Sequence, residues 1–529
     1  MKKFEHLSAL VECSSGVVPK VETVKKYLDL FSRMGYDRLY LGLADAYKIP
    51  EEPFFNYKRG GYTADDFREM DAHAKRCGVE LIPQIQLLSH LHFLRKYPEY
   101  AGIFDTDNVL MVGEERVYQL IEHMVKAVSE GLSSRRIHIG LDEAFGIGTG
   151  GYLKKHGPAD KKELILRHLK RVFPILKKYG YTAEMWADML LETDNTAVTA
   201  EQVRKVLPED STVFLWDYEE NDEAKLADLV DRGGALSQNL AFAGGVWKYI
   251  GFGPCNRYSV SRLLPQMKVC SQKGIKHFMV TLWSDNGAPC SVYAALPALF
   301  TAAEYANGNC SGAEDLDKEK FRAITGIGYD DMLSLEYLND PLKQGGKTRS
   351  SSSFWAFYTD LLLGNFDLYL TPGVEKAYAE RADEYAALKT GPFGHVFAMS
   401  EAVMRVLAIK APLPGRIREA YARKDRTALL SCVEEIGRLK KAISDFTGIF
   451  AGYFRTDNRP FGLEVHQLYL GGQLARCDYA SERLTAFCEK GEPVEELEGG
   501  VLRLDYQPPL TPDNSCMMDY RMLISYCIP

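Results

Sequence analysis

The sequence predicts an α/β protein: a (β/α)8 barrel over residues 1–310, followed by a mainly α-helical domain over residues 311–529. Three observations carry that expectation. As far as residue 310, short continuously apolar runs alternate with amphipathic helical patterns. Eight such runs can be placed, and most are too apolar along their whole length to have a wet face, as in parallel sheets covered on both sides. Beyond residue 310 the strand signals give way to helical periodicity. An open doubly wound sheet is the competing architecture.

The first run, HLSALVE from residue 6, leads into VETVKKYLDLFSRMG, where Val21, Val24, Leu28, Phe31 and Met34 form one apolar stripe closed by Gly35. A strand and its covering helix follow from that pattern. The remaining strands are expected in DRLYLGL, VELIPQIQ, RRIHIGL, TAEMWA, STVFLW, NLAFAGG and KHFMVTLW. In the second domain, GVEKAYAERADEYAALK, HVFAMSEAVMRVLAI and RTALLSCVEEIGRLKKAISDFTGIFAGYF carry helical spacing. The polar stretch at 343–353 predicts a loop ending in an N-cap serine, and the last residues, from LEGGVLRLDYQPP onward, predict a short irregular tail.

A chain with 46% hydrophobic and 26% charged residues has the composition of a globular enzyme. Its formal net charge of -8 argues against a polyanionic partner, so no nucleic acid is expected. The eleven cysteines are odd in number and form no CxxC pair, which predicts reduced thiols rather than a zinc or disulfide framework. The N-terminus lacks an uninterrupted apolar stretch and no run approaches the ~20 residues of a membrane span, so the expectation is a cytoplasmic protein with no membrane partner. A homodimer is the preferred assembly.

Unusual residues gather where a barrel keeps its active site, at the carboxyl ends of the strands. Four of the five tryptophans, Trp186, Trp216, Trp247 and Trp283, fall at the ends of strands five to eight, and flat apolar walls suit a pyranose ring. Taken singly, each is as readily a plug for the barrel top. Acids collect at the same level: Glu12, Asp45, Asp142, Glu143, Asp188, Asp217 and Asp285. An isolated aspartate there more often caps a helix or holds a loop.

Asp142 and Glu143 are adjacent, in RIHIGLDEAFGIG. Ordinary retaining glycosidases flank the sugar with two carboxyls about 5–5.5 Å apart, usually from different strands, and neighbours on one strand tip cannot do that. Successive side chains diverge instead. One carboxyl can then protonate a leaving oxygen while the other contacts a different part of the substrate, as in substrate-assisted enzymes, where a 2-acetamido oxygen supplies the nucleophile.

RGGYTADDFREMDAHAKRCGVELIPQIQLLSHL, SRRIHIGLDEAFGIGTGGYL, MWADM, WDY, FAGGVWKYIGFGPCN and TLWSDNG, in that order, resemble the hexosaminidase D-like branch of family 20 glycoside hydrolases. The resemblance covers nearly the whole barrel, and the C-terminal stretch NRPFGLEVHQLYLGG is also similar. It implies a β-N-acetylhexosaminidase that acts on a glycan or amino-sugar glycoside without a cofactor. By position, Asp142 resembles the aspartate that orients the acetamido group, and Glu143 the general acid/base. Asp45 and His90 resemble a dyad that hydrogen-bonds toward that acid. Tyr218 resembles the hydroxyl donor to the acetamido oxygen. Trp186, Trp216, Trp247 and Trp283 resemble the aromatic box, and Asp285 is a further substrate-binding residue. Each also has a bland reading: His90 as a structural histidine, Tyr218 as wall packing, Asp45 as a helix cap. The SHLH stretch suggests a metal-binding HxH pair, but further ligands are missing at later strand ends, so no metal is expected.

The chain departs from that branch at Ser15, in place of an arginine that grips sugar hydroxyls, at Ala44 and Pro289 in place of carboxylates, at Cys255 in place of a histidine, and at Glu219 in place of a tyrosine. Keeping the acetamido machinery while losing hydroxyl-binding groups implies a different O3, O4 or O6 pattern in the sugar. The alternatives are a substituted sugar or a disaccharide as substrate, and a catalytically silent sugar-binding paralogue.

Overall fold

The computed structural model describes residues 2–14, 16–191, 198–287, 289–343, 352–364 and 373–501. Ser15, Cys516, Cys527, most of the loop expected at 343–353 and the tail from residue 502 lie outside the described residues.

Eight parallel strands close into a barrel in sequence order. They are β1 His6–Glu12, β2 Arg38–Gly42, β3 Glu80–Gln84, β4 Arg136–His138, β5 Thr182–Trp186, β6 Thr212–Trp216, β7 Leu240–Gly245 and β8 His277–Leu282. The β1 to β8 pairing that closes the ring runs in unbroken register from His6 opposite His277 to Val11 opposite Leu282. At the other extreme, β3 meets β4 through a single registered pair, Gln84 opposite His138.

The covering helices form for local reasons. Helix Val21–Met34 buries Val24, Tyr27, Leu28, Phe31 and Met34 and stops at Gly35, whose φ of 102° only glycine adopts readily. Helix Ala64–Cys77 starts on a capping box, in which Thr63 accepts from the Asp66 N–H and Asp66 accepts in return from the Thr63 N–H.

Inward-pointing side chains fill the barrel. Leu10, Tyr40, Ile82, Trp186, Phe214, Ala241, Ala243 and Met279 form one buried layer, and Trp216 and Trp283 pack on it while still partly exposed. The period of two along a strand explains the arrangement: Phe214 and Trp216 share the inner face of β6, one layer apart.

The chain divides into two compact units. The first comprises Met1–Gly245, Val260–Trp283 and Leu299–Leu316, and so holds all eight strands. The second comprises Val246–Ser259, Ser284–Ala298 and the chain from Asp317 onward. Its longest elements are the helices Arg426–Asp457 and Leu463–Lys490. Each buries residues at alternating intervals of three and four, such as Leu429, Cys432, Ile436, Leu439 and Ile443 in the first, the spacing that keeps one seam facing a partner helix. Among the described residues no helix is long and apolar enough to cross a membrane.

Candidate active site

The tips of β2, β3 and β4 carry unusual backbone. Of the eight described non-glycine residues with positive φ, four are Ala44, His90, Leu141 and Glu143. Left-handed backbone is disfavoured for a residue with a Cβ, and its clustering at strand ends marks a place where surrounding bonds hold the chain against its preference. Some of those bonds are visible. The Gly140 N–H donates to His138 Nδ1 at 3.2 Å, and the Ser89 hydroxyl donates to the Asp142 carbonyl, tying the β3 loop to the β4 loop.

That backbone turns the two neighbouring carboxyls apart. The Asp142 side chain is 15% exposed and that of Glu143 is 47% exposed. His90 lies between them, its Nε2 3.2 Å from Asp142 Oδ2 and 3.7 Å from Glu143 Oε2. Nε2 makes no aligned hydrogen bond, so the attraction to Asp142 is that of an ion pair. The other Asp142 oxygen, Oδ1, is buried, and no described residue donates to it.

The electrostatics separate the pair further. Burial acts to raise the Asp142 pKa, but the His90 imidazole outweighs it and holds the carboxyl below its ordinary value. Burial raises Glu143, helped by the Asp142 charge and only partly opposed by His90. Burial alone would lower His90, yet Asp142, Glu143 and Glu12 together lift it to about 9. Burial and charge thus push the two neighbouring carboxyls in opposite directions, Asp142 down and Glu143 up.

The aromatic side of the site comes from β5, β6 and β8. Trp216 stacks on Tyr218, with ring centroids 5.3 Å apart and planes 21° apart. The Trp283 indole N–H donates to the Tyr218 hydroxyl at 3.0 Å. Gly245 makes this packing possible, because a Cβ there would stand 2.8 Å from the Tyr218 ring. Asp188, just past β5, connects the two sides. Its Oδ2 accepts from the Glu143 backbone N–H at 2.8 Å and its Oδ1 from the Trp216 indole N–H at 3.3 Å. Burial lifts the Asp188 pKa to about 6.

Within the first unit, then, the structure brings Asp142, Glu143, His90, Tyr218, Trp216 and Trp283 into one connected group. Two expectations need correction. Asp45 and His90 do not form a dyad that hydrogen-bonds toward Glu143: Asp45 Oδ2 accepts from Arg59 Nε at 2.7 Å, and His90 Nε2 lies 3.2 Å from Asp142 Oδ2 and 3.7 Å from Glu143 Oε2. Arg59 lies fourteen residues along the β2 loop, and nothing in its spacing signals that it folds back onto Asp45. Trp186 is 1% exposed and belongs to the barrel core, 6.0 Å from the Trp283 ring, so it underlies the wall rather than forming it.

Trp247 and Asp285 belong to the second unit. There Trp247 is buried, stacks on Tyr249 and donates its backbone N–H to Ser259, while Asp285 opens a one-turn 3-10 helix, Asp285–Gly287. Of the divergent positions, Cys255 and Pro289 are buried in this same unit, and the Pro289 carbonyl accepts from the Tyr453 hydroxyl at 2.6 Å. Among the described residues, Asp29, His73 and Cys77 on the first two covering helices are near enough to hold a metal ion together.

Comparisons with known proteins bear on the family of the chain. A family model described as "Glycosyl hydrolase family 20, catalytic domain" matches residues 19–235, and one described as "Glycoside Hydrolase 20C C-terminal domain" matches residues 330–517, together more than half of the chain. Hexosaminidase D of Bos taurus is 24% identical over 212 residues, covering 38% of this chain and 60% of that protein. Hexosaminidase D of Homo sapiens is 24% identical over 212 residues, covering 38% of this chain and 43% of that protein. The match thus spans less than two thirds of either relative. A solved structure of a "GH20 Exo beta-N-Acetylglucosaminidase from Vibrio harveyi" is similar with a TM-score of 0.47 at 15% identity, covering 64% of this chain and 58% of that one.

Proposed function

This chain belongs to glycoside hydrolase family 20, and on that footing we propose that it hydrolyses terminal 2-acetamido-2-deoxy-β-hexosides with retention, using the substrate's acetamido oxygen as nucleophile. The observation that carries the proposal is the setting of Asp142: one oxygen lies 3.2 Å from His90 Nε2, and to the other, buried oxygen no described residue donates. A buried acceptor of this kind is matched by an amide N–H.

In the first step the acetamido oxygen attacks the anomeric carbon and the glycosidic C–O bond breaks. Glu143, whose pKa is raised chiefly by burial, passes its proton to the leaving oxygen. Asp142 accepts the acetamido N–H and offsets the positive charge of the oxazolinium formed. The Tyr218 hydroxyl, oriented by the bond it accepts from Trp283, donates to the attacking oxygen. In the second step water attacks the anomeric carbon from the opposite face and breaks its bond to the acetamido oxygen, the Glu143 carboxylate takes the proton from the water, and the sugar leaves with its acetamide restored and its original configuration.

Hydroxyl recognition differs from that of ordinary 2-acetamido glycosides, since Ala44 stands where a carboxylate is expected. A panel of aryl β-glycosides of GlcNAc, GalNAc and their sulfated forms checks this, and equal, ordinary turnover of the two plain sugars would refute it. The mechanism is tested with N-fluoroacetyl analogues, whose acetamido oxygen is progressively poorer in electrons. Rates should fall steeply from acetyl to trifluoroacetyl, and an unchanged rate would rule out the substrate as its own nucleophile. Binding of GlcNAc-thiazoline that is lost in Asp142→Ala separates an enzyme from a silent sugar-binding protein.

A further inference from the structure

Asp188 is not one of the residues to which the mechanism above gives a role, yet it makes the tie between the two halves of the site. It begins a single helical turn, Asp188–Leu191, a position where an aspartate ordinarily serves its own helix. Both of its oxygens reach out of that turn. One accepts the backbone N–H of Glu143, on the β4 loop, and the other the indole N–H of Trp216, at the end of β6. The Glu143 backbone needs holding, because its φ of 53° and the φ of 81° at Leu141 place left-handed residues on both sides of Asp142. From Trp216 the contacts continue through the stacked Tyr218 ring to the Trp283 indole.

We propose that Asp188 is a positioning residue that sets the reach of the Glu143 carboxyl against the aromatic wall, by holding the Glu143 backbone and the Trp216 indole on its two oxygens. The inference rests on the reading of Glu143 as the proton donor. It differs from a purely structural role in what it affects. A misplaced acid fails to deliver its proton to the leaving oxygen but leaves the substrate's own attack in place. Loss of Asp188 must therefore depend on how much the leaving group needs a proton.

The test compares kcat and KM for a phenyl and a 2,4-dinitrophenyl 2-acetamido-2-deoxy-β-glucoside in Asp188→Ala, Asp188→Asn, Trp216→Phe and Glu143→Gln. Asp188→Ala should lower kcat/KM, which reads the first step alone, about 100-fold on the phenyl glycoside and change that of the dinitrophenyl glycoside by less than about threefold. Asp188→Asn keeps an acceptor for the Glu143 N–H but turns an amide NH2 on the Trp216 indole, so it should recover to within about tenfold of the unaltered enzyme. Trp216→Phe unties one oxygen only and should show the same dependence on leaving group at about a tenth of the size.

Equal losses on both substrates in Asp188→Ala, or no loss on the phenyl glycoside, would overturn the proposal. Should Asp188→Ala not fold, Trp216→Phe decides instead, and there a loss independent of the leaving group counts against the positioning role. Glu143→Gln tells which idea has failed. If it still cleaves the phenyl glycoside, Glu143 is not the acid; if it does not, while Asp188→Ala does so normally, the acid stands and the positioning role falls.

Discussion

The His90 imidazole Nε2 lies 3.2 Å from Asp142 Oδ2, and each group holds the other in its charged form. The imidazole is raised from 6.5 to about 9, so its share of folding stability is fully present below pH 6.5 and is lost as pH rises through about 9. The carboxyl is lowered below 3.8, so its share is present above that value and is lost as pH falls through the lowered one. His90→Gln should remove both dependences, seen as a flatter profile of melting temperature against pH. It should also move the acidic limb of kcat/KM to higher pH, because Asp142 then loses the charge that keeps it ionised.

Glu143→Gln should abolish cleavage of poor leaving groups, by about 10²–10⁴-fold in kcat, while sparing the first step on activated aryl glycosides. Stopped-flow release of the aryl alcohol measures that first step alone. Normal turnover of both substrate types would remove Glu143 from the acid role.

The alkaline limb of kcat/KM should lie above the ordinary glutamate value of 4.5, because Glu143 is raised chiefly by burial and must be protonated to act. A pH profile on an unactivated glycoside shows it, and the limb should vanish with a dinitrophenyl leaving group, which departs without a proton.

Gly245→Ala tests Tyr218 from the opposite side of the barrel wall. The added methyl would stand 2.8 Å from the Tyr218 ring, so the ring must move and its bond from Trp283 must stretch. The variant should lose about 1–3 kcal/mol of stability from overpacking. Its kcat should fall in the same direction as that of Tyr218→Phe, for which removal of an oxyanion-type donor predicts about 10²–10³-fold. Chemical denaturation and steady-state kinetics on the two variants check both parts.

Arg59→Met should destabilise the protein by about 3 kcal/mol, because the Asp45 side chain is 3% exposed and would lose its ion-pair partner. Replacing both residues, as Asp45→Asn with Arg59→Met, should recover much of that loss in denaturant unfolding. Equal losses in the single and double variants would show that the pair is not coupled.

The barrel was legible because each strand is a continuous apolar run, a pattern that the burial of parallel strands on both faces demands. β1 spans the residues from which it was expected. β4 shows the limit of this reasoning: the apolar run continues to Leu141, yet the strand stops at His138, because Gly140 and Leu141 take left-handed backbone and the Gly140 N–H goes to a side chain instead of the ladder. Hydrophobicity cannot report a turn made by residues that are themselves buried. Helix Leu463–Lys490 was hidden for a related reason. Its buried positions keep the intervals of three and four but include His466, Gln473, Cys477 and Ala480, which do not register as an apolar stripe. In the site, the acids and aromatics stood out by residue type and by place at strand ends. Their pairings did not: Asp45 with Arg59, His90 with Asp142 and Asp188 with Glu143 each depend on how loops fold back or meet.

The single registered pair between β3 and β4 sits directly beneath the tips that carry His90 and the two carboxyls. Every other junction of the ring is laced by three or more pairs, so a cylinder that breathes will part first along this seam. Parting there slides His90 away from Asp142 before any other wall gives way. Heat will therefore silence the chemistry while most of the stave-work is still standing, and amide exchange at Ile85 and Leu87, whose N–H groups cross this seam to His138 and Ile139, will report that loss ahead of global melting.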